Sequence, residues 1–314
     1  MPTFIGRRPP RPRLAPELDD KELGRVLKTL VDPHGFPVPG IQIDLISTLV
    51  AECGEDWDRR SHRLSVLSTC LPNALLAASW LARAPNSADA LILHGWMALR
   101  DASATGGVPD ESGILEDCYQ AVRLRPRDPA PWVLMLGVMR RQRRPFRQVR
   151  PIWGEILARD PWHRQAHLEM LGYLSPAEQG SHVAVLDFID SRTSQMPAGA
   201  PPSGLKLIVE VQRYQKSLGR GGLEEIIASS HWNTRDAASS LEWAQACWLQ
   251  PGFLRHASAV ADLNLLAFAL IASRRFADAA TAFRAVKGIV TPWPWHVRRN
   301  PVEEFATWQT RCWR

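Results

Sequence analysis

The densest source of chemistry in the chain is the run Arg140 to Arg150, RRQRRPFRQVR. It places Arg140, Arg141, Arg143, Arg144, Arg147 and Arg150 together with no acid between them. A guanidinium grips carboxylate or phosphate oxygens through two parallel N–H donors, so this run suits an acidic peptide, a phosphate or a nucleic-acid backbone. Nucleic acid also calls for aromatic rings on which bases stack, and only Phe146 interrupts the cluster. The competing reading is a solvated turn whose arginines pair with neighbouring acids. A second basic stretch, RRPPRPR over residues 7–13, reads as a polyproline-type ligand or as a terminal tail.

Other candidates are sparser. His163 and His167 stand four apart on an expected helix and could share a metal, with His182 as the nearest third ligand, but no H-E-x-x-H pattern surrounds them. His231-Trp232 and the pair Trp293 and Trp295 fall in expected loops, where they would anchor a partner or plug the space between helices. There is no G-x-S-x-G elbow, Cys–His signature, P-loop or G-x-G-x-x-G. Gly219-Arg-Gly-Gly222 precedes an expected helix without a strand leading into it, so it reads as a helix–helix turn. Asp187, Asp190, Glu224 and Glu225 are scattered acids. No catalytic residue, cofactor or metal is assigned from the sequence.

The bulk composition sets the frame for these residues. With 314 residues, 45% apolar and 22% charged, the chain can bury a large core in one or two domains without disulfides or metal. Disorder and fibrous architectures are excluded. The net charge is +6, and the Arg140–Arg150 run alone supplies it, since 32 basic and 32 acidic residues remain outside. The chain therefore carries local basic features and is not uniformly basic. Five cysteines without a C-x-x-C pair, no secretory pattern at the N-terminus and a longest apolar run of only Leu265 to Ala272 predict a cytoplasmic chain with reduced thiols and no membrane contact.

The elements that must position these residues read as helices almost throughout. Residues 1–17 are rich in Arg and Pro and are expected to form a flexible arm. Helical periodicity then runs over 18–194, breaks at a Pro/Gly loop or hinge over 195–204, and resumes over 205–314. No convincing period-2 strand is visible. Asp128-Pro129 and Asp160-Pro161 read as helix starts, and Ser175-Pro-Ala-Glu178 and Asn300-Pro-Val-Glu303 as capping boxes.

The chain also repeats itself. Arg-Asp-Pro recurs at 127–129 and 159–161, Pro126 and Pro161 lie 35 apart, and each stands eleven residues before a glycine, Gly137 or Gly172. A period near 34 with two helices per unit is that of tetratricopeptide repeats. Residues 260–293 resemble that family best. Leu263, Leu266, Ala267 and Leu270 match the first-helix positions, Phe276 opens the second helix, and Ala279, Phe283 and Val286 match its apolar positions. Residues 88–126, with an extra loop around Thr105 to Ser112, and 129–161 resemble it more loosely. The stretches Trp57-Asp-Arg-Arg60, Tyr173 to His182, Asp262 to Ala267 and Thr291-Pro-Trp-Pro-Trp295 are also similar to a functionally uncharacterised bacterial family of divergent helical repeats.

The resemblance implies an all-α fold, a right-handed superhelical array of antiparallel helix pairs (a tetratricopeptide-like α-solenoid). It implies a concave surface lined by first helices, onto which His167, Asn264, Phe268 and Ile271 would project, with Val133, Leu136 and Leu171 beside them. The expected function is a non-catalytic protein- or peptide-binding scaffold, its best partner an acidic segment held by the arginines. The alternatives are a nucleic-acid-associated protein using the Arg140–Arg150 patch, and an enzyme whose site forms no linear motif.

Overall fold

The computed structural model describes residues 9–31, 39–72, 74–105, 110–218, 228, 230–296 and 300–313. The expected turns over 32–38, 106–109 and 219–222, the acids Glu224 and Glu225, and the basic residues Arg7 and Arg8 lie outside them. The fold is all-α, with one two-stranded exception described below. The chain divides into two compact units, residues 20–202 and residues 1–19 with 203–314.

The first unit runs α1 (Lys21–Val31), α2 (Pro39–Ala51), α3 (Trp57–Cys70), α4 (Leu75–Arg83), α5 (Ala88–Thr105), α6 (Glu111–Leu124), α7 (Ala130–Arg141), α8 (Phe146–Arg159), α9 (Arg164–Tyr173) and α10 (His182–Thr193). The odd-numbered helices α1 to α9 pack each against the next in that series, and α5 with α6 and α7 with α8 form hairpins. Helices amphipathic at this spacing cannot bury their apolar stripes alone, so each hairpin completes its neighbour's core. Close approach is set by small residues. A Cβ on Gly137 of α7 would lie 3.1 Å from the Trp96 ring of α5.

The repeat shows most clearly in polar contacts. Two residues after Pro85, Pro126 and Pro161 stand Ser87, Asp128 and His163, and each side chain accepts a backbone N–H at the start of α5, α7 or α9, from Ala90 (3.3 Å), Ala130 (2.9 Å) and Ala166 (3.3 Å). The carbonyls of the same prolines accept side-chain donors from the second helix of the following hairpin: Gln120 at 2.9 Å, Arg159 at 2.7 Å and Arg192 at 3.4 Å. The repeated Arg-Asp-Pro is not this repeat. Its first copy opens α7, whereas Asp160 is the C-terminal cap of α8, and α9 starts later, behind His163. Ser175-Pro-Ala-Glu178 is likewise corrected from a capping box to a turn. Ser181 caps α10 instead, accepting from the Ala184 N–H at 3.0 Å.

The second unit contains α11 (Leu205–Leu218), α12 (Arg235–Trp248), α13 (Ala259–Ala272), α14 (Phe276–Val286), α15 (Pro292–Trp295) and α16 (Pro301–Cys312). Here α13 and α14 form the hairpin expected from residues 260–293, with Leu266, Ala267, Leu270, Ala279, Phe283 and Val286 all buried. Its core closes on aromatic rings, Phe283 against Phe305 at 4.9 Å and Trp295 against Phe305 at 5.2 Å.

The expected flexible arm is corrected over its described part. Arg13–Leu14 forms a short strand, β1, parallel to β2 (Ile289–Val290), with Arg13 N–H donating to Gly288 O at 2.9 Å and Ala15 N–H to Val290 O at 3.2 Å. Gly288 has a φ of +79°, and a Cβ there would sit 3.0 Å from the Arg11 carbonyl, so the arm passes where only glycine lets it. Ala15 and Leu18 are buried while Leu14 is exposed. Two buried apolar side chains three residues apart, joined by a turn in which the Leu18 N–H donates to the Ala15 carbonyl at 3.0 Å, hold the segment, a spacing that does not read as strand alternation. Ala15→Asp should therefore lose about 3 kcal/mol of stability, and Leu14→Asp within about 0.5 kcal/mol of none. Urea unfolding of the two variants checks this; equal effects would show that the arm is not docked.

Candidate functional site

The arginine run forms the end of α7, a turn, and the first two turns of α8. The α7 end is closed by Arg143, whose φ of +53° is the left-handed conformation that glycine adopts most readily. The Arg144 N–H then reaches the Met139 carbonyl at 2.9 Å. Holding an arginine there costs about 1 kcal/mol relative to glycine.

Two arginines brace this turn. Arg140 forks Glu178 (Nε to Oε2, 2.9 Å) and donates from Nη1 to Glu169 Oε2 at 2.8 Å, so the Glu178 hydrogen bonds above all hold it protonated. Its guanidinium lies across Gly172, where a Cβ would meet it at 2.1 Å. Arg144 donates to both Glu111 oxygens, at 3.0 and 2.8 Å, and its carbonyl accepts the Tyr173 hydroxyl at 2.9 Å. These partners, Glu111, Glu169 and Glu178, lie about 30 to 40 residues away; only Glu178 stands out in the sequence, and there as a capping-box acid. As partners of the arginines, their only signal there was the spacing of one repeat.

The other four arginines face outward. Arg141, Arg143, Arg147 and Arg150 are exposed, around a Phe146 ring that is 50% exposed and rests 6.5 Å from Tyr173. Among the described residues, Arg143, Arg147 and Arg150 have no carboxylate within ion-pair distance. The run thus separates into two braced arginines and four outward-facing ones, and the reading of arginines paired with neighbouring acids holds for Arg140 and Arg144.

The inner-face candidates are corrected. His167 and Asn264 are wholly buried, Ile271 is buried, and Phe268 is half-buried between Tyr214 and Trp295. Asn264 faces its own unit, accepting from Trp295 Nε1 at 2.9 Å and donating to the Ile289 carbonyl at 3.0 Å. In the first unit His167 is packed among Trp153, Trp162 and Phe188, whereas α3 covers Val133. Buried Arg60 on α3 ion-pairs with Asp89 and with Asp128 (3.2 Å), and Ser61 hydrogen-bonds His163 at 2.8 Å. Ser61, Leu64 and Ser65 leave only a cavity of about 30 Å³ against Trp96, Val133 and Gln165. Beside Arg60 opens a cleft of about 560 Å³, also lined by Trp57, Arg125 and Arg127. Its arginines are matched by Asp89, Asp128 and Glu55, so it does not select an anion.

His163 and His167 are structural in their contacts. His163 Nδ1 accepts the Ala166 N–H, which leaves Nε2–H to donate to Ser61, and His167 Nδ1 faces the His163 carbonyl at 3.0 Å. Among the described residues no group of three His, Cys, Asp or Glu side chains is placed to hold a metal ion. Compared with known proteins, the chain matches no family model, no curated protein and no solved structure.

Burial, then the neighbouring His167, lowers the His163 pKa to about 3; burial, then Arg192, lowers that of His167 to about 4. Unfolded imidazoles take protons near 6.5. Between those values the unfolded chain binds more protons, so this contribution is complete above about pH 6.5 and is lost as the pH falls. At pH 5 the loss should reach about 2 kcal/mol per ring. Denaturant unfolding from pH 7 to pH 4.5 should show the decline, and His163→Ser with His167→Phe should flatten it. An unchanged slope in the double variant would refute the assignment.

Proposed function

We propose that the chain is a non-catalytic protein-binding scaffold, a cytoplasmic tetratricopeptide-like superhelical array that docks an acidic segment of a partner at the α7–α8 turn. The observation that carries this reading is the division of the arginine run. Arg140 and Arg144 are consumed in bracing the turn, while Arg143, Arg147 and Arg150 stand exposed around Phe146 without acidic partners among the described residues. An unpaired guanidinium cluster around an apolar ring complements a carboxylate-bearing peptide, the ring supplying desolvation and the forks supplying direction. A single ring offers no ladder for successive bases, which favours protein over nucleic acid. The inner face closed by α3 moves the docking site from the groove such arrays commonly use to this outer turn.

Hydrogen-exchange mass spectrometry tests the reading. A glutamate-rich dodecapeptide should protect residues 140–150, and the protection should fade with salt and vanish in the triple variant Arg143→Gln, Arg147→Gln, Arg150→Gln. Stronger protection by a single-stranded oligonucleotide than by the peptide would overturn it in favour of nucleic acid.

A further inference from the structure

The turn between α13 and α14 repeats the α7–α8 turn in the other unit. In both, the first helix closes through an arginine in the left-handed conformation, Arg143 at φ +53° and Arg274 at φ +61°. In both, the next N–H reaches back five residues, Arg144 to Met139 O at 2.9 Å and Arg275 to Leu270 O at 2.8 Å. The next arginine then braces the turn against the preceding helix. Arg144 holds Glu111 on α6, and Arg275 holds Gln245 on α12 together with Asp278 at 2.9 Å. Each second helix opens on a phenylalanine with an exposed face, Phe146 at 50% and Phe276 at 44%, and each ring is backed by another, Tyr173 at 6.5 Å and Trp308 at 6.0 Å.

Four non-glycine residues among the described ones have positive φ. Leu18 is buried, and Lys287 precedes Gly288 beside the arm with no aromatic following it. Arg143 and Arg274 differ from both. Each is exposed, has no ion-pair partner among the described residues, and stands beside a displayed ring. Glycine closes such a turn at lower cost, and among the described residues neither side chain makes a hydrogen bond or ion pair in return. Where a local rule is broken without internal compensation, an external contact is the physical reason to look for.

We propose that the Arg274–Phe276 turn is a second docking site, for a segment that carries a carboxylate beside an apolar side chain. The carboxylate meets the Arg274 guanidinium and the apolar group lies on the Phe276 ring. The proposal rests on the reading of the α7–α8 turn and extends it, giving the chain two sites of one chemistry, one in each unit. The sites are unequal. The positions of Arg147 and Arg150 are taken at the second turn by Ala277 and Ala280, so it offers one displayed guanidinium where the first offers three. Its affinity should be about tenfold weaker or more, with a shallower salt dependence.

Isothermal titration calorimetry of the full chain at low salt decides it, with a capped dodecapeptide of glutamates around a central pair of leucines as the probe. Arg143→Gly and Arg274→Gly are the variants. Each removes a guanidinium while easing the backbone, so the melting temperature should hold or rise, and loss of binding cannot be loss of fold. The expected result is a two-site isotherm in which Arg274→Gly removes the weak site, Arg143→Gly weakens the strong one, and the double variant retains neither at its original affinity. A single site abolished by Arg143→Gly and untouched by Arg274→Gly would overturn the second site and leave the first standing. No binding to the unaltered chain, or binding indifferent to both variants, would overturn both.

Discussion

The first unit depends on a buried charge. Arg60 is almost wholly removed from water, and its guanidinium is balanced only because α5 and α7 deliver Asp89 and Asp128 to the same point. Removing one member of such a group typically costs about 3–5 kcal/mol, since the remaining charge stays buried and unpaired. The arrangement therefore holds three helices from different hairpins in fixed register. It also commits the face they share. With Arg60, Ser61 and Leu64 seated on the starts of α5, α7 and α9, that face is interior.

Closing the inside gives the outside its character. A helical hairpin must turn, and the turn must expose backbone, so the loops between first and second helices are where such a chain can vary without disturbing its core. At α7–α8 this loop carries guanidiniums, and Arg140, lying across Gly172, itself occupies Glu169 and Glu178. Rigid display lowers the entropy lost when a partner is bound. Arg140 and Arg144 fix the turn from which the other four arginines project.

Much of the fold was legible because helix signals are local. Apolar spacing and caps such as Asn300, whose side chain accepts from the Val302 N–H, marked the chain as helical along most of its length. The legible part of the site was its composition, a run of arginines with one ring. Its division was not legible, since the acids that claim Arg140 and Arg144 lie far along the chain, and the one that stood out, Glu178, read as a helix-capping acid instead. The inner-face candidates failed for a related reason. Repeat register placed His167 and Asn264 on the first helices of their pairs, but whether each side chain meets water depends on its packing, against Trp153, Trp162 and Phe188 for His167 and against the 289–295 segment for Asn264. The two identical Arg-Asp-Pro tripeptides show the opposite error, in which likeness of sequence suggested an equivalence that the helix boundaries deny.

The docking of the arm has a consequence for biogenesis. Residues 13 and 14 are translated well ahead of the strand they pair with, Ile289–Val290. The unit over 20–202 can assemble as it emerges, since its contacts are between neighbours. The other unit cannot be completed until Ile289–Val290 has been made and can meet β1. Throughout that interval Ala15 and Leu18 remain uncovered. A nascent chain thus carries one unit that can fold while the other waits for a partner strand made far later.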